Sequence, residues 1–90
     1  MAKIRIIYKI LPSEVGDEII NKIVKEINSN ASSLNYILND YRTEPIAFGL
    51  NALKILLTFD EESGRLDKFE EMLSKMPEVS SWEVIGMTRA

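Results

Sequence analysis

The chain contains no histidine and no cysteine. The first absence removes imidazole acid–base chemistry and histidine metal ligation. The second removes thiolate nucleophiles, disulfides and cysteine zinc sites. A fold without disulfides is held by packing alone, which suits a reducing, cytoplasmic setting. Proline and glycine are sparse, at three and four residues, so each break they impose on the pattern is informative. Apolar runs such as Ile55-Leu56-Leu57 fall far short of the ~20 residues a membrane-crossing helix needs. The opening Met1-Ala2-Lys3-Ile4-Arg5 alternates charge with apolar side chains and is not the apolar stretch of a signal peptide. Nor is there an excess of positive charge: 11 basic against 14 acidic residues give a net charge of −3 and a pI near 4.9. Broad electrostatic binding to nucleic acid selects for the opposite balance.

What remains is a chain of 90 residues, 46% hydrophobic and 28% charged, sized for one domain over residues 1–90 with a thin core. Residues 3–11 alternate, with Ile4, Ile6, Tyr8 and Ile10 on one face and Lys3, Arg5, Ile7 and Lys9 on the other, the period of a half-buried strand. Pro12 and Ser13 end it, and Ser13 is a candidate N-cap for a helix from Glu14 to about Asn28. Val15, Ile19, Ile20, Ile23, Val24 and Ile27 form the apolar face of that helix. A turn-prone stretch through Ser33 follows, and then a strand from Leu34 to about Arg42, with Leu34, Tyr36 and Leu38 opposite Ile37 and Tyr41. Thr43 to Gly49 reads as a loop because Pro45 is excluded from a central ladder position.

Leu50 to Phe59 is the most apolar segment and reads as a central strand with Leu53, Ile55, Leu57 and Phe59 on its covered face. Asp60 to Gly64 is a turn. Leu66, Phe69, Leu73 and Met76 mark a second helix that Pro77 ends, and Val79 to about Thr88 is a last strand carrying Trp82 and Val84 on one side. The order β-α-β-β-α-β predicts an α+β fold, the ferredoxin-like βαββαβ sandwich, with two helices on one face of a four-stranded antiparallel sheet. Its other face would carry Lys3, Arg5, Lys9 and Lys54 as a basic strip.

That fold serves many functions. An RNA-recognition module would use the basic sheet face, but it stacks bases on aromatics of its first and third strands, and Asn51 to Thr58 has none. An enzyme would need a constellation. No phosphate-binding glycine motif occurs, and Asp60-Glu61-Glu62 alone makes a poor cation cage. A protein-binding module would use Phe48, which stands between Pro45 and Gly49. Such an aromatic either folds back into the core or is presented as an anchor.

The block Glu44-Pro45-Ile46-Ala47-Phe48-Gly49-Leu50-Asn51-Ala52-Leu53 resembles the corresponding segment of the archaeal elongation factor 1-beta family, guanine-nucleotide exchange factors. Length, the Ile- and Lys-rich opening strand and the closing strand followed by Arg agree over essentially the whole chain. The resemblance implies an exchange domain standing alone, without the N-terminal part of its eukaryotic relatives and without a cofactor. Its partner would be elongation factor 1-alpha in GDP-bound and nucleotide-free forms, with no direct nucleic-acid or membrane contact. It also implies a partner-binding set of Pro45, Ile46, Ala47, Phe48, Gly49 and Arg89. Phe48 would enter an apolar pocket of the partner. Arg89 stands where eukaryotic relatives carry a Lys directed toward the partner's magnesium site. Asn51, where relatives often have a basic residue, and a less acidic second strand depart from the pattern.

Overall fold

The computed structural model describes residues 3–47, 49–60 and 66–89. Their order is β1 (Lys3–Pro12), α1 (Asp17–Ser29), β2 (Tyr36–Ala47), β3 (Leu50–Asp60), α2 (Leu66–Lys75) and β4 (Val79–Arg89). The strands form one antiparallel sheet in the order β2-β3-β1-β4. This is the predicted ferredoxin-like arrangement.

The alternation in β1 buries Ile6, Tyr8 and Ile10 under the helices, opposite Leu57, Ile55 and Leu53 of β3. From above, α1 contributes Ile19, Ile20, Ile23 and Ile27, and α2 contributes Phe69 and Leu73. Phe69 lies at the centre of an aromatic group, its ring 5.2 Å from Tyr8, 5.1 Å from Tyr36 and 5.7 Å from Phe59. The two buried tyrosines also anchor the layers through their polar ends. The Tyr8 hydroxyl donates to Glu70 Oε2 of α2 at 2.9 Å, and the Tyr36 hydroxyl donates to the Ile27 carbonyl of α1.

Burial, and then the bond to Glu70 and its negative charge, hold the Tyr8 phenol far above its ordinary pKa. Burial and then the charge of Glu26 do the same for Tyr36. A phenol whose pKa is raised by folding stabilises the native state below the unfolded value of about 10, and that stability is lost as pH rises past it. The chain is therefore expected to unfold cooperatively in alkali. Tyrosinate absorbance from Tyr8 and Tyr36 should emerge together with the loss of circular dichroism. Ionisation of both phenols with the dichroism still native would contradict this.

Four sequence-based expectations change. Helix α1 begins at Asp17, not Glu14, and Gly16 at φ 127° is its N-cap with no side-chain bond. Ser13 does not cap it; its N–H donates instead to the Glu78 carbonyl at 2.9 Å, tying the start of α1 to the turn after α2. The second strand starts at Tyr36, after Asn35 takes a left-handed backbone angle of 55°. It runs on through the expected loop to Ala47, with Pro45 in register opposite Asn51. The reason is position: β2 is an edge strand, and a residue without an N–H is tolerated on an edge or at a bulge. A register shift between Pro45 and Ala47 marks such a bulge.

The open sheet face also differs from the expected basic strip. Lys3, Arg5, Lys9 and Lys54 do share it, but Lys3 is in register with Asp60 and Lys9 with Glu83, while Lys54, in register with Arg42, reaches diagonally to Glu44 of β2. Lys54 Nζ lies 2.7 Å from Glu44 Oε2, and Arg42 Nε lies 3.6 Å from Asp40 Oδ2. The face is a mixed-charge surface with Ile7 and Leu56 near its middle.

Candidate protein-docking site

The β2–β3 hairpin reaches farther than the sheet that supports it. The pairing of β1 with β3 runs to Ile10 opposite Leu53, whereas β2 and β3 stay paired to Ala47 opposite Leu50. The last residues of the hairpin thus form a two-stranded tongue. At its base Glu44 forms an exposed ion pair with Lys54. The hydrogen bond from Lys54, followed by the positive charges of Lys54 and Lys9, holds the Glu44 carboxyl below the usual range.

At the tip, Gly49 takes φ +80°, a conformation that side chains with a Cβ rarely adopt. Pro45 and Ile46 are exposed, Ile46 by 46%. Phe48 lies outside the described residues, as do Glu61 to Arg65 of the acidic turn. A Cβ on Gly49 would lie 3.6 Å from Val15 Cγ1. Val15, expected on the buried face of the first helix, precedes that helix and is 62% exposed against the tip of the hairpin. Val15 is the member of this surface that sequence reasoning missed. The signal was Gly16, which interrupts helical periodicity just after it.

Arg89 is not a frayed terminus. It is the last residue of β4 and stands in register with Ile4. Ile4 in turn pairs with Phe59, while the hairpin tip begins at Leu50. Nine residue steps of strand separate those positions, about 30 Å, on a molecule whose long axis is 43 Å. Pro45, Ile46, Ala47 and Gly49 are therefore brought together at one end, and Arg89 stands at the other. The aromatics that RNA stacking would need are not on the open faces of β1 and β3: Tyr8 and Phe59 point into the core. Among the described residues, no cluster of carboxylates could hold a metal ion, and no helix is long and apolar enough to cross a membrane.

Comparison with known proteins bears on this arrangement. The family model for the EF-1 guanine nucleotide exchange domain matches residues 5–90. An elongation factor 1-beta of Metallosphaera sedula is 37% identical, over 99% of this chain and 97% of its own length. One of Methanocorpusculum labreanum is 32% identical, over 99% and 98%. Among solved structures, 30S ribosomal protein S6 of Thermotoga maritima superposes with a TM-score of 0.60 at 14% identity, covering 100% of this chain and 89% of its own. At that identity the likeness speaks for the fold alone.

Proposed function

Because the chain belongs to the EF-1 guanine nucleotide exchange domain family, we propose that it acts on elongation factor 1-alpha in its GDP-bound and nucleotide-free forms. There it promotes release of GDP so that GTP can enter. The observation that carries this reading is the match of residues 5–90 to the exchange domain, supported by full-length similarity to archaeal elongation factors 1-beta.

The chain works by binding and not by covalent chemistry. Its two ends take different roles. The hairpin end, with Pro45, Ile46, Ala47, Phe48 and Gly49, seats Phe48 in an apolar pocket of the partner and fixes the orientation. The Arg89 end then approaches the partner's nucleotide site. A guanidinium brought near a bound magnesium ion repels it in a region of low dielectric, and the weakened metal loosens the diphosphate. Arg is planar and larger than Lys, so the approach is that of a delocalised cation and not of a compact ammonium. Linkage makes the effect reciprocal: the factor by which the chain weakens GDP is the factor by which GDP weakens the chain. Nucleotide concentrations set the direction of exchange.

The test is stopped-flow release of a fluorescent GDP from an archaeal elongation factor 1-alpha, with and without this chain. A saturable acceleration is expected. A folded chain that leaves the release rate unchanged with its matched partner would overturn the proposal.

A further inference from the structure

Val15 is an apolar residue that the core does not use. It is 62% exposed and belongs neither to the buried cluster nor to the apolar residues packed against it. A lone valine on a surface needs no explanation, but this one is held in place. The loop that carries it leaves β1 at Pro12, and the Ser13 N–H donates to the Glu78 carbonyl at 2.9 Å. One residue after Val15, Gly16 takes φ 127° and turns the chain into α1. That angle suits glycine and few other residues, and the turn keeps Val15 off the apolar face of the helix. Its Cγ1 lies instead 3.6 Å from where a Cβ on Gly49 would stand. Among the described residues outside Gly49 and its chain neighbours, it is the only atom within 4 Å of that point.

The tip of the hairpin has little other support. β3 pairs with β1 only from Leu53 onward, so Leu50, Asn51 and Ala52 are held in the ladder by β2 alone. A two-stranded ribbon by itself is marginally stable in water. Gly49 has the widest backbone freedom of any residue type and has to be kept at φ +80°. We propose that Val15 is a positioning residue for the docking end: its methyl groups brace Gly49 and so preset the backbone that carries Phe48, the residue bonded to it. The inference rests on the exchange reading above and adds to it a part played by the β1–α1 loop. Presetting a binding loop lowers the ordering cost of association. It acts on capture of the partner and leaves the step that follows unchanged.

Val15→Ala removes the bracing methyls from a residue that lies outside both helix and core. Amide hydrogen exchange of the free variant should become faster at Ala47, Gly49 and Leu50 and stay unchanged at Ile55 and Leu57. In the GDP-release assay the half-maximal concentration should rise roughly two- to fivefold, as expected for two partly buried methyl groups, at an unchanged limiting rate. Val15→Ile keeps an apolar branch at Cβ and should stay within about twofold of the unaltered chain in both readouts. The double variant separates bracing from direct contact. On the Phe48→Ala background, Val15→Ala should lower the efficiency of exchange no further, because a residue that acts through another is not additive with it. An additive loss would make Val15 an independent partner contact and overturn the proposal. Faster tip amides with unaltered GDP release would overturn it too, as would a changed release with tip amides as slow as before. An unaltered chain that does not accelerate GDP release overturns the exchange reading itself; the amide exchange, read without a partner, then decides the brace separately.

Discussion

Replacing Phe69 with alanine is expected to lower folding stability by about 3–5 kcal/mol. Phe69 is fully buried, and its ring touches Tyr8, Tyr36 and Phe59. Those neighbours come from three strands, each held by its own ladder, so they have little freedom to collapse into the space left behind. The loss therefore combines transfer of the ring to water with a cavity that stays open. In a domain of this size each kcal/mol corresponds to roughly 4–8 °C of melting temperature, and the drop should be on the order of 20 °C. Thermal unfolding followed by circular dichroism measures it. Trp82, the single tryptophan, lies 5.8 Å from Tyr8 and gives an independent fluorescence signal from the same core. Phe69→Leu should recover most of the loss. A change under about 1 kcal/mol for the alanine variant would mean that the aromatic group is not what holds α2 on the sheet.

The second large effect is expected from Phe48→Ala in the GDP-release assay. Truncating an aromatic anchor costs about 2–4 kcal/mol of binding, which corresponds to roughly 30- to 1,000-fold in the efficiency of exchange. The two ends of the molecule should separate kinetically. Loss of the hairpin anchor should raise the concentration of chain needed for half-maximal acceleration. Arg89→Ala should lower the limiting rate instead, because in the proposed mechanism it removes a charge that acts only once the complex has formed. Both variants should keep native circular dichroism: the hairpin tongue extends past the β1 pairing, and Arg89 ends a strand and is exposed. If Phe48→Ala accelerates release as well as the unaltered chain does, the anchor lies elsewhere on the hairpin end, with Ile46 and Val15 the next residues to test.

The strands and helices were legible wherever one period ran unbroken. Ile4, Ile6, Tyr8 and Ile10 alternate without interruption, and Ile19 to Ile27 recur at helical spacing; the buried sets match both. Periodicity failed at the bulges, because one extra residue reverses every side chain beyond it. The shift between Leu38 and Asp40 places Tyr41 in register with buried Ile55, on the helix side of the sheet and not opposite Leu38 as simple alternation implied. The extension of β2 through Pro45 was hidden for another reason. Whether proline is tolerated depends on whether the strand is central or at an edge, and strand order is a property of the whole sheet. Val15 was misread because its helical spacing fits, while Gly16 breaks the helix before that spacing can act. For the docking surface, the sequence pointed to the block around Phe48 but not to the projection of the hairpin beyond β1, nor to the distance between its tip and Arg89.

The strand order has a further consequence, for the time at which this chain can fold. The first strand made, β1, occupies an inner position between β3 and β4, and β2 does not touch it in the ladder. The first half of the chain, through β2, therefore holds two strands that cannot pair with each other natively. The sheet starts to form only when β3 arrives to join them, and β1 stays open on one side until the last residues of β4 leave the ribosome. Contacts of such long sequence separation slow folding. In the interval, Ile6, Tyr8 and Ile10 belong to a strand with an unpaired edge. A nascent chain stalled before β4 should thus be bound by holding chaperones and cut readily by protease, while one extended past Arg89 by an exit-tunnel spacer should resist both.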